Sequence, residues 1–176
     1  MNWHTYFMTM VYLVAMKSKD KSTHIGAIIV GEDNEIRSTG YNSFPRQIND
    51  NKEERYERPE KYYWMEHAER NAIYNAARVG IPLNKCIMYT NGLPCPDCAR
   101  AIINSGIEVV FYHKQWMEIE QSHNKWEEAC KRSKEMFNEA DVEYCMLDIE
   151  LKSIYILKDG CRYEMGEEEV EKGIRN

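Results

Sequence analysis

The chain has 176 residues, 43% of them hydrophobic, and a formal net charge of -6. That length and apolar content suit one compact domain with a sizeable core. The acidic balance argues against a broad grip on polymeric nucleic acid, which relies on clustered Lys and Arg neutralising many phosphates, and leaves room for a local cluster suited to a small phosphorylated molecule.

The first residues are apolar but carry His4 and Thr5, with no basic leader and no small-residue cleavage site before Lys17. Secretion is not expected from such a start, and a cytoplasmic location is. No run of about 18 apolar residues occurs, so no membrane span is expected. Trp3, Phe7, Met10, Val11 and Val14 recur at helical spacing behind Asn2 as a cap, which predicts an amphipathic helix over 2–17 whose apolar face belongs to the core. The polar stretch Ser18-Lys19-Asp20-Lys21-Ser22-Thr23 reads as a solvated turn, with a phosphate contact from its lysines as the alternative.

Ile25–Val30 is a continuous apolar run containing Gly26, as a strand buried on both faces would be. Gly31 through Asn34 turns the chain, and 35–39 returns as the second strand of a hairpin, leading to Gly40-Tyr41-Asn42. Residues 46–61 mix both charges densely and contain neither Cys nor His, so they read as a solvated loop or short surface helix without ligands for a second zinc.

A helical pattern runs from Met65 to Arg78 and ends at Gly80 and Pro82, which places His67 and Glu69 in its first turn. Residues 86–90 read as a third strand. Asn91-Gly92-Leu93-Pro94 leads from it into a helix that begins near Cys95 and Cys98 and continues to Ile103. After Gly106, 107–112 predicts a fourth strand, then a loop with His113, Lys114 and Trp116. A helix marked by Trp126, Ala129, Cys130, Met136 and Phe137 follows, and a fifth strand over 142–146. Alternating strands and helices imply a sheet covered on both faces and largely parallel in this half. Ser153–Leu157, Asp159-Gly160 and Cys161–Met165 read as a hairpin, with an acidic tail from Gly166. The predicted architecture is a three-layer α/β/α sandwich with a central mixed sheet of about five strands and a C-terminal hairpin extension. Residues 151–176 are counted within the same domain as 1–150.

Six cysteines, all from Cys86 onward, contain a single C-x-x-C spacing, which indicates a reducing compartment and a metal site in place of a disulfide framework. His67, Cys95 and Cys98 are zinc-binding side chains, and three protein ligands leave a coordination position open where four would close the site. Cys86, His113 and Cys130 are the candidates for a fourth, each with another home in a strand, a loop or a helix face. Two thiolates and a neutral imidazole cancel the formal charge of zinc, so a nearby carboxylate gains importance as a proton carrier, and Glu69 stands two residues from His67. Both motifs open helices, whose unpaired amides favour thiolates. Hydrolytic loss of ammonia from an aminated heterocycle suits this equipment. His-x-Glu alone says little, but with Pro-Cys-x-x-Cys across an intervening strand it matches the signature of zinc nucleobase deaminases.

The chain resembles the deoxycytidylate deaminases of the cytidine and deoxycytidylate deaminase superfamily. The resemblance is carried by Ser18-Lys19-Asp20, Ile25-Gly26-Ala27, Ser38-Thr39-Gly40-Tyr41-Asn42, His67-Ala68-Glu69 with Asn71-Ala72-Ile73, and Pro94-Cys95-Pro96-Asp97-Cys98-Ala99-Arg100-Ala101-Ile102. It implies hydrolysis of dCMP to dUMP and ammonia, feeding thymidylate synthesis, and a homo-oligomer. It also implies one catalytic Zn2+ on His67, Cys95 and Cys98, proton transfer by Glu69, and contacts to base and sugar from the Ala68 amide and the Asn42 side chain. Many relatives have glycine where this chain has Ser43 and another near Gln47, in a loop linked in the family with dCTP and dTTP effectors. Side chains there are expected to block such an effector or alter its contacts.

Two competing functions remain open in the sequence. One is deamination of a related nucleotide, dCTP or a modified dCMP, or of a base in RNA or single-stranded DNA, which the acidic balance disfavours. The other is a non-catalytic zinc protein, against which Glu69 argues. Lys17, Lys19, Lys21, Arg46, Arg55 and Lys114, with His24, are the candidate phosphate contacts, and nothing in the sequence ranks them.

Overall fold

The structure is a computed structural model, and it describes residues 1–121, 127–151, 155–158 and 161–164. Helix α1 (Trp3–Ala15) starts at Asn2, whose side-chain oxygen accepts from the Thr5 amide at 2.8 Å. Its buried stripe is Phe7, Met8, Val11 and Ala15, while Trp3, expected inward, lies 55% exposed at the first turn.

Strands β1 (Gly26–Val30) and β2 (Ile36–Tyr41) form the expected antiparallel hairpin. β2 runs two residues beyond the predicted strand, because Gly40 and Tyr41 pair with Ala27 and Gly26. The charged stretch holds a 3-10 turn at Glu53–Tyr56 and a single-turn helix α2 (Lys61–Trp64). Then come α3 (Ala68–Val79), β3 (Ile87–Thr90), α4 (Pro96–Asn104) and β4 (Val109–His113). Where a loop was expected, α5 (Lys114–Gln121) follows β4 directly, built from good helix formers such as Lys114, Met117 and Glu118. α6 (Glu127–Glu139) and β5 (Glu143–Leu147) complete the main sheet, and β6 (Tyr155–Lys158) pairs with β7 (Cys161–Glu164) in the expected C-terminal hairpin. Trp126, the Asp159-Gly160 turn and the tail from Gly166 lie outside the described residues.

Strand order in the sheet is β2-β1-β3-β4-β5, with β1 antiparallel to both neighbours and β3, β4 and β5 parallel. All five residues of β1 are buried, so each face meets its own core. Ile28 and Val30 join Phe7, Met8, Val11 and Tyr89 under α1. Ala27 and Ile29 join Ala72, Ala76, Ile102, Val110 and Phe137 under α3, α4 and α6. The layers are helix, mixed sheet, helix, as predicted. The C-terminal edge of the two parallel strands β3 and β4 is where the α4 entry loop and α5 depart, and α3 enters beside it. No helix among the described residues is long and apolar enough to cross a membrane.

Candidate active site

The site is built where two helices begin. His67 is the N-cap of α3 (φ -75, ψ 154) and Cys95 is the N-cap of α4 (φ -68, ψ 167). His67 therefore precedes the first turn in which the sequence pattern placed it. The shift has a physical cause outside the helix: Glu66 pairs with Ser43 through reciprocal backbone hydrogen bonds of 3.1 and 2.8 Å, which keeps 65–67 extended. Cap side chains usually accept from the following amides. Neither His67 nor Cys95 does, and their ligand atoms turn towards each other.

His67 Nδ1 lies 3.4 Å from Cys95 Sγ and 3.5 Å from Cys98 Sγ, and the three ligand atoms are all within 4.8 Å of one another. Tetrahedral zinc with ordinary Zn–N and Zn–S bonds separates imidazole nitrogen from sulfur by roughly 3.5 Å, so the set fits the ion. Among the described residues this is the one His, Cys and carboxylate group at metal-binding range. The other candidates have different places. His113 is buried at the end of β4, with Nδ1 2.7 Å from the Tyr12 hydroxyl and Nε2 3.0 Å from the Ile149 carbonyl. Cys86 is buried beside the Pro82 carbonyl, and Cys130 stands on the cavity wall without joining the triad.

The triad is electrostatically coupled. The Cys98 hydrogen bond holds the Cys95 thiol down to about 4, against the effect of burial. Cys95 in turn pushes His67 up to about 9. Cys98 is raised well above its ordinary value by Cys95 and by burial. Glu69, in the first turn of α3, is 5% exposed, and burial pushes its carboxyl up although the neighbouring His67 opposes this. A carboxyl so placed has a reason to take up a proton and a partner that limits how firmly it keeps it.

Side chains fasten α3 to β2. Ser38 Oγ donates to the Ala72 carbonyl at 2.7 Å, and Asn71 and Asn75 donate to the Tyr41 and Thr39 carbonyls at 2.8 Å each. Gly40 lies beneath the start of α3, where an added Cβ would come within 2.3 Å of the Ala68 oxygen. Arg70 ties the helix starts together, paired with Glu66 on one side and 3.5 Å from Asp97 of α4 on the other.

Glu69, Ala68, His67 and Cys95 open into a cavity of about 380 Å³. That volume is near the lower end of the roughly 300–1,000 Å³ usual for small-molecule sites and suits one mononucleotide. Asn42 also lines it, buried, with its amide oxygen accepting from the Ile25 N–H at 2.8 Å and its amide nitrogen donating to the Thr23 carbonyl at 2.8 Å. Ser43 accepts from Asn71 besides pairing with Glu66, and Gln47 adopts φ 70, the left-handed backbone that glycine favours.

The structure adds residues that sequence reasoning did not single out. Lys61 is 7% exposed and donates to Asp20 and to Ser22, each at 2.7 Å, so the expectation of a wholly solvated 46–61 stretch fails there. Arg58, Tyr62 and Trp116 share the cavity wall. The only sequence signal for the pair was Asp20 within Ser18-Lys19-Asp20, which carries no hint of a partner 41 positions away. None of Lys17, Lys19, Lys21, His24, Arg46, Arg55 and Lys114 lines this cavity: Lys19 pairs with Asp50, Lys21 with Glu53 and Lys114 with Asp148, and Arg55 stacks 3.7 Å over Trp64.

A family model described as the cytidine and deoxycytidylate deaminase zinc-binding region matches residues 1–114. The chain belongs to this deaminase family. Among curated members, it is 37% identical over 149 residues to the "Uncharacterized deaminase in luxG 3'region" of Aliivibrio fischeri, covering 85% of this chain and 96% of that one. It is 35% identical over 128 residues to the deoxycytidylate deaminase of Mus musculus, covering 69% and 71%. A crystal structure of dCMP deaminase from the cyanophage S-TIM5, in complex with dCMP and dUMP, superposes with a TM-score of 0.63 at 21% identity over 82% of this chain and 96% of that one, which establishes the shared fold. The family is one of zinc-binding deaminases, and the residues at the two helix starts fit that ion.

Proposed function

We propose that the protein is a dCMP deaminase, hydrolysing dCMP to dUMP and ammonia. The observation that carries the reading is a three-ligand set at zinc spacing with a buried carboxyl beside it, facing a cavity of mononucleotide size. His67, Cys95 and Cys98 would hold one zinc ion, which when bound would supply a Lewis acid able to acidify a water molecule.

The chain's own groups do the rest. Glu69 accepts a proton from water as the oxygen bonds to C4 of the cytosine ring, and passes that proton to N3. It then delivers the second water proton to the amino group. The C4–N bond breaks, ammonia leaves with the bonding pair, and C4 becomes the carbonyl carbon of dUMP. Burial of Glu69 suits this task, since a general acid–base works best with its pKa moved towards the operating pH. The Ala68 amide, at the first position of α3, and Asn42 on the cavity wall orient base and sugar. Asn42 does so from a side chain already fixed by Ile25 and Thr23, so little freedom is lost on binding.

The relatives named as deoxycytidylate deaminases support dCMP as substrate. Ammonia release from purified protein offered dCMP, dCTP, CMP, deoxycytidine or adenine nucleotides tests it. The expected result is turnover of dCMP well above the rest; turnover confined to RNA or single-stranded DNA would replace the assignment.

A further inference from the structure

Resting on the dCMP reading, we propose that Arg58 recognises the substrate's 5′-phosphate, with Lys61 locked beside it by Asp20 and Ser22. This pair separates nucleotide from nucleoside.

A nucleoside monophosphate carries close to two negative charges at neutral pH. Among the described residues, the lysine and arginine side chains on the cavity wall are Arg58 and Lys61, three positions apart in the segment that leads into α2. The acidic groups of the same wall are already engaged. Glu66 is paired with Arg70, and Glu69 belongs to the reacting end. Asp20 accepts from the Ser22 amide and hydroxyl at 2.9 Å, from Lys61 at 2.7 Å and from Asn42 at 3.4 Å, so its charge is neutralised within the protein.

Arg58 is different. It is exposed at the cavity wall and has no acidic partner among the described residues, and its guanidinium offers the planar fork that binds phosphate oxygens in pairs. Lys61 uses two of its three donors on Asp20 and Ser22, which leaves one over for an anion. The segment holding both is anchored by Arg55 on Trp64 and by the Lys61 amide bonding to the Glu57 carbonyl at 2.9 Å. The 20–25 loop, which Lys61 meets through Asp20 and Ser22, is tied to Asn42, whose amide meets Thr23 and Ile25. Arg58 and Lys61 therefore offer their donors from a wall whose backbone is already held.

The test measures kcat and KM of the zinc-loaded protein for dCMP and for deoxycytidine, in the wild type and in Arg58→Ala and Arg58→Lys. Loss of one charge-assisted contact predicts that Arg58→Ala lowers kcat/KM for dCMP by roughly 10–100-fold, mostly through KM, and leaves deoxycytidine within about threefold. Arg58→Lys recovers part of the loss, and competitive inhibition by inorganic phosphate weakens in Arg58→Ala. Equal losses on both substrates, or no loss on either, overturn the inference while the dCMP assignment stands. A wild type that releases ammonia from neither substrate overturns the assignment, and this inference with it.

Discussion

Replacing Gly40 with alanine tests how the site is held. The added Cβ would lie 2.3 Å from both the Ala68 oxygen and the Ala72 nitrogen, and 2.9 Å from the Ala72 Cα. Contacts of Cβ below 3.0 Å are essentially never adopted, so α3 must move off β2 by at least about 0.7 Å, and the obstacle is helix backbone that cannot swing aside. Overpacking of this kind costs about 1–3 kcal/mol. The displaced turn carries His67, Ala68 and Glu69, and a misplacement near 1 Å can cost on the order of 100-fold in rate. Thermal unfolding, zinc content and ammonia release from dCMP should be measured on Gly40→Ala. A comparably crowded substitution on the other face is Gly26→Ala, whose Cβ would meet the Val11 oxygen of α1 at 2.2 Å. Both variants should lose stability, and Gly40→Ala should lose far more turnover per degree of melting temperature. Wild-type activity in Gly40→Ala, or equal activity losses in the two variants, would refute the claim that contact between β2 and α3 sets the catalytic geometry.

Other perturbations address single groups. Cys98→Ser should lose zinc and melt at lower temperature, with no further drop on adding a chelator; stoichiometric zinc in that variant would show the ligand set to be wrong. His113→Phe should destabilise the protein by about 1–3 kcal/mol, since the Tyr12 hydroxyl and the Ile149 carbonyl lose their buried partner, yet keep zinc. Asp20→Asn leaves Lys61 buried without its counter-charge, a loss of about 3 kcal/mol at neutral pH. Burial raises the Asp20 carboxyl, but Lys61 and Ser22 outweigh it and hold the group below its ordinary value. Its stabilisation is thus complete above the unfolded-state pKa and fades as pH falls through the lower folded value. The stability gap between wild type and Asp20→Asn should be constant from about pH 5 to 7 and close below about pH 4; a gap that widened in acid would contradict the ion-pair account.

The clustering of His67, Cys95 and Cys98 was legible in the sequence because zinc coordination accepts few side-chain types and the intervening strand limits how two helix starts can meet. The order of strands and helices was readable for a similar reason, since the buried run at Ile25–Val30 and the alternation after it allow few arrangements. What sequence could not supply was pairing across distance. Glu66 is extended because of Ser43, 23 positions away, and this moves His67 from the first turn to the cap. Lys61 is buried because Asp20 receives it, although its neighbours Glu57, Arg58 and Glu60 look like any solvated surface. Arg58 had no local signature at all. It differs from Lys19, Lys21 and Lys114 in the acidic partners they have and it lacks among the described residues, a contrast visible only in three dimensions. α5 has no clear signature in the sequence, because Trp116 and Met117 are adjacent and give too short a period to separate helix from loop.

The most direct measurement pairs metal content with turnover in Glu69→Gln. Wild-type protein should contain one zinc per chain and convert dCMP to dUMP with release of ammonia. The variant should keep that zinc and the wild-type melting temperature within a few degrees, while its rate falls at least about 100-fold, as expected when proton transfer is removed. A zinc-replete Glu69→Gln protein that deaminates dCMP at the wild-type rate would contradict the account.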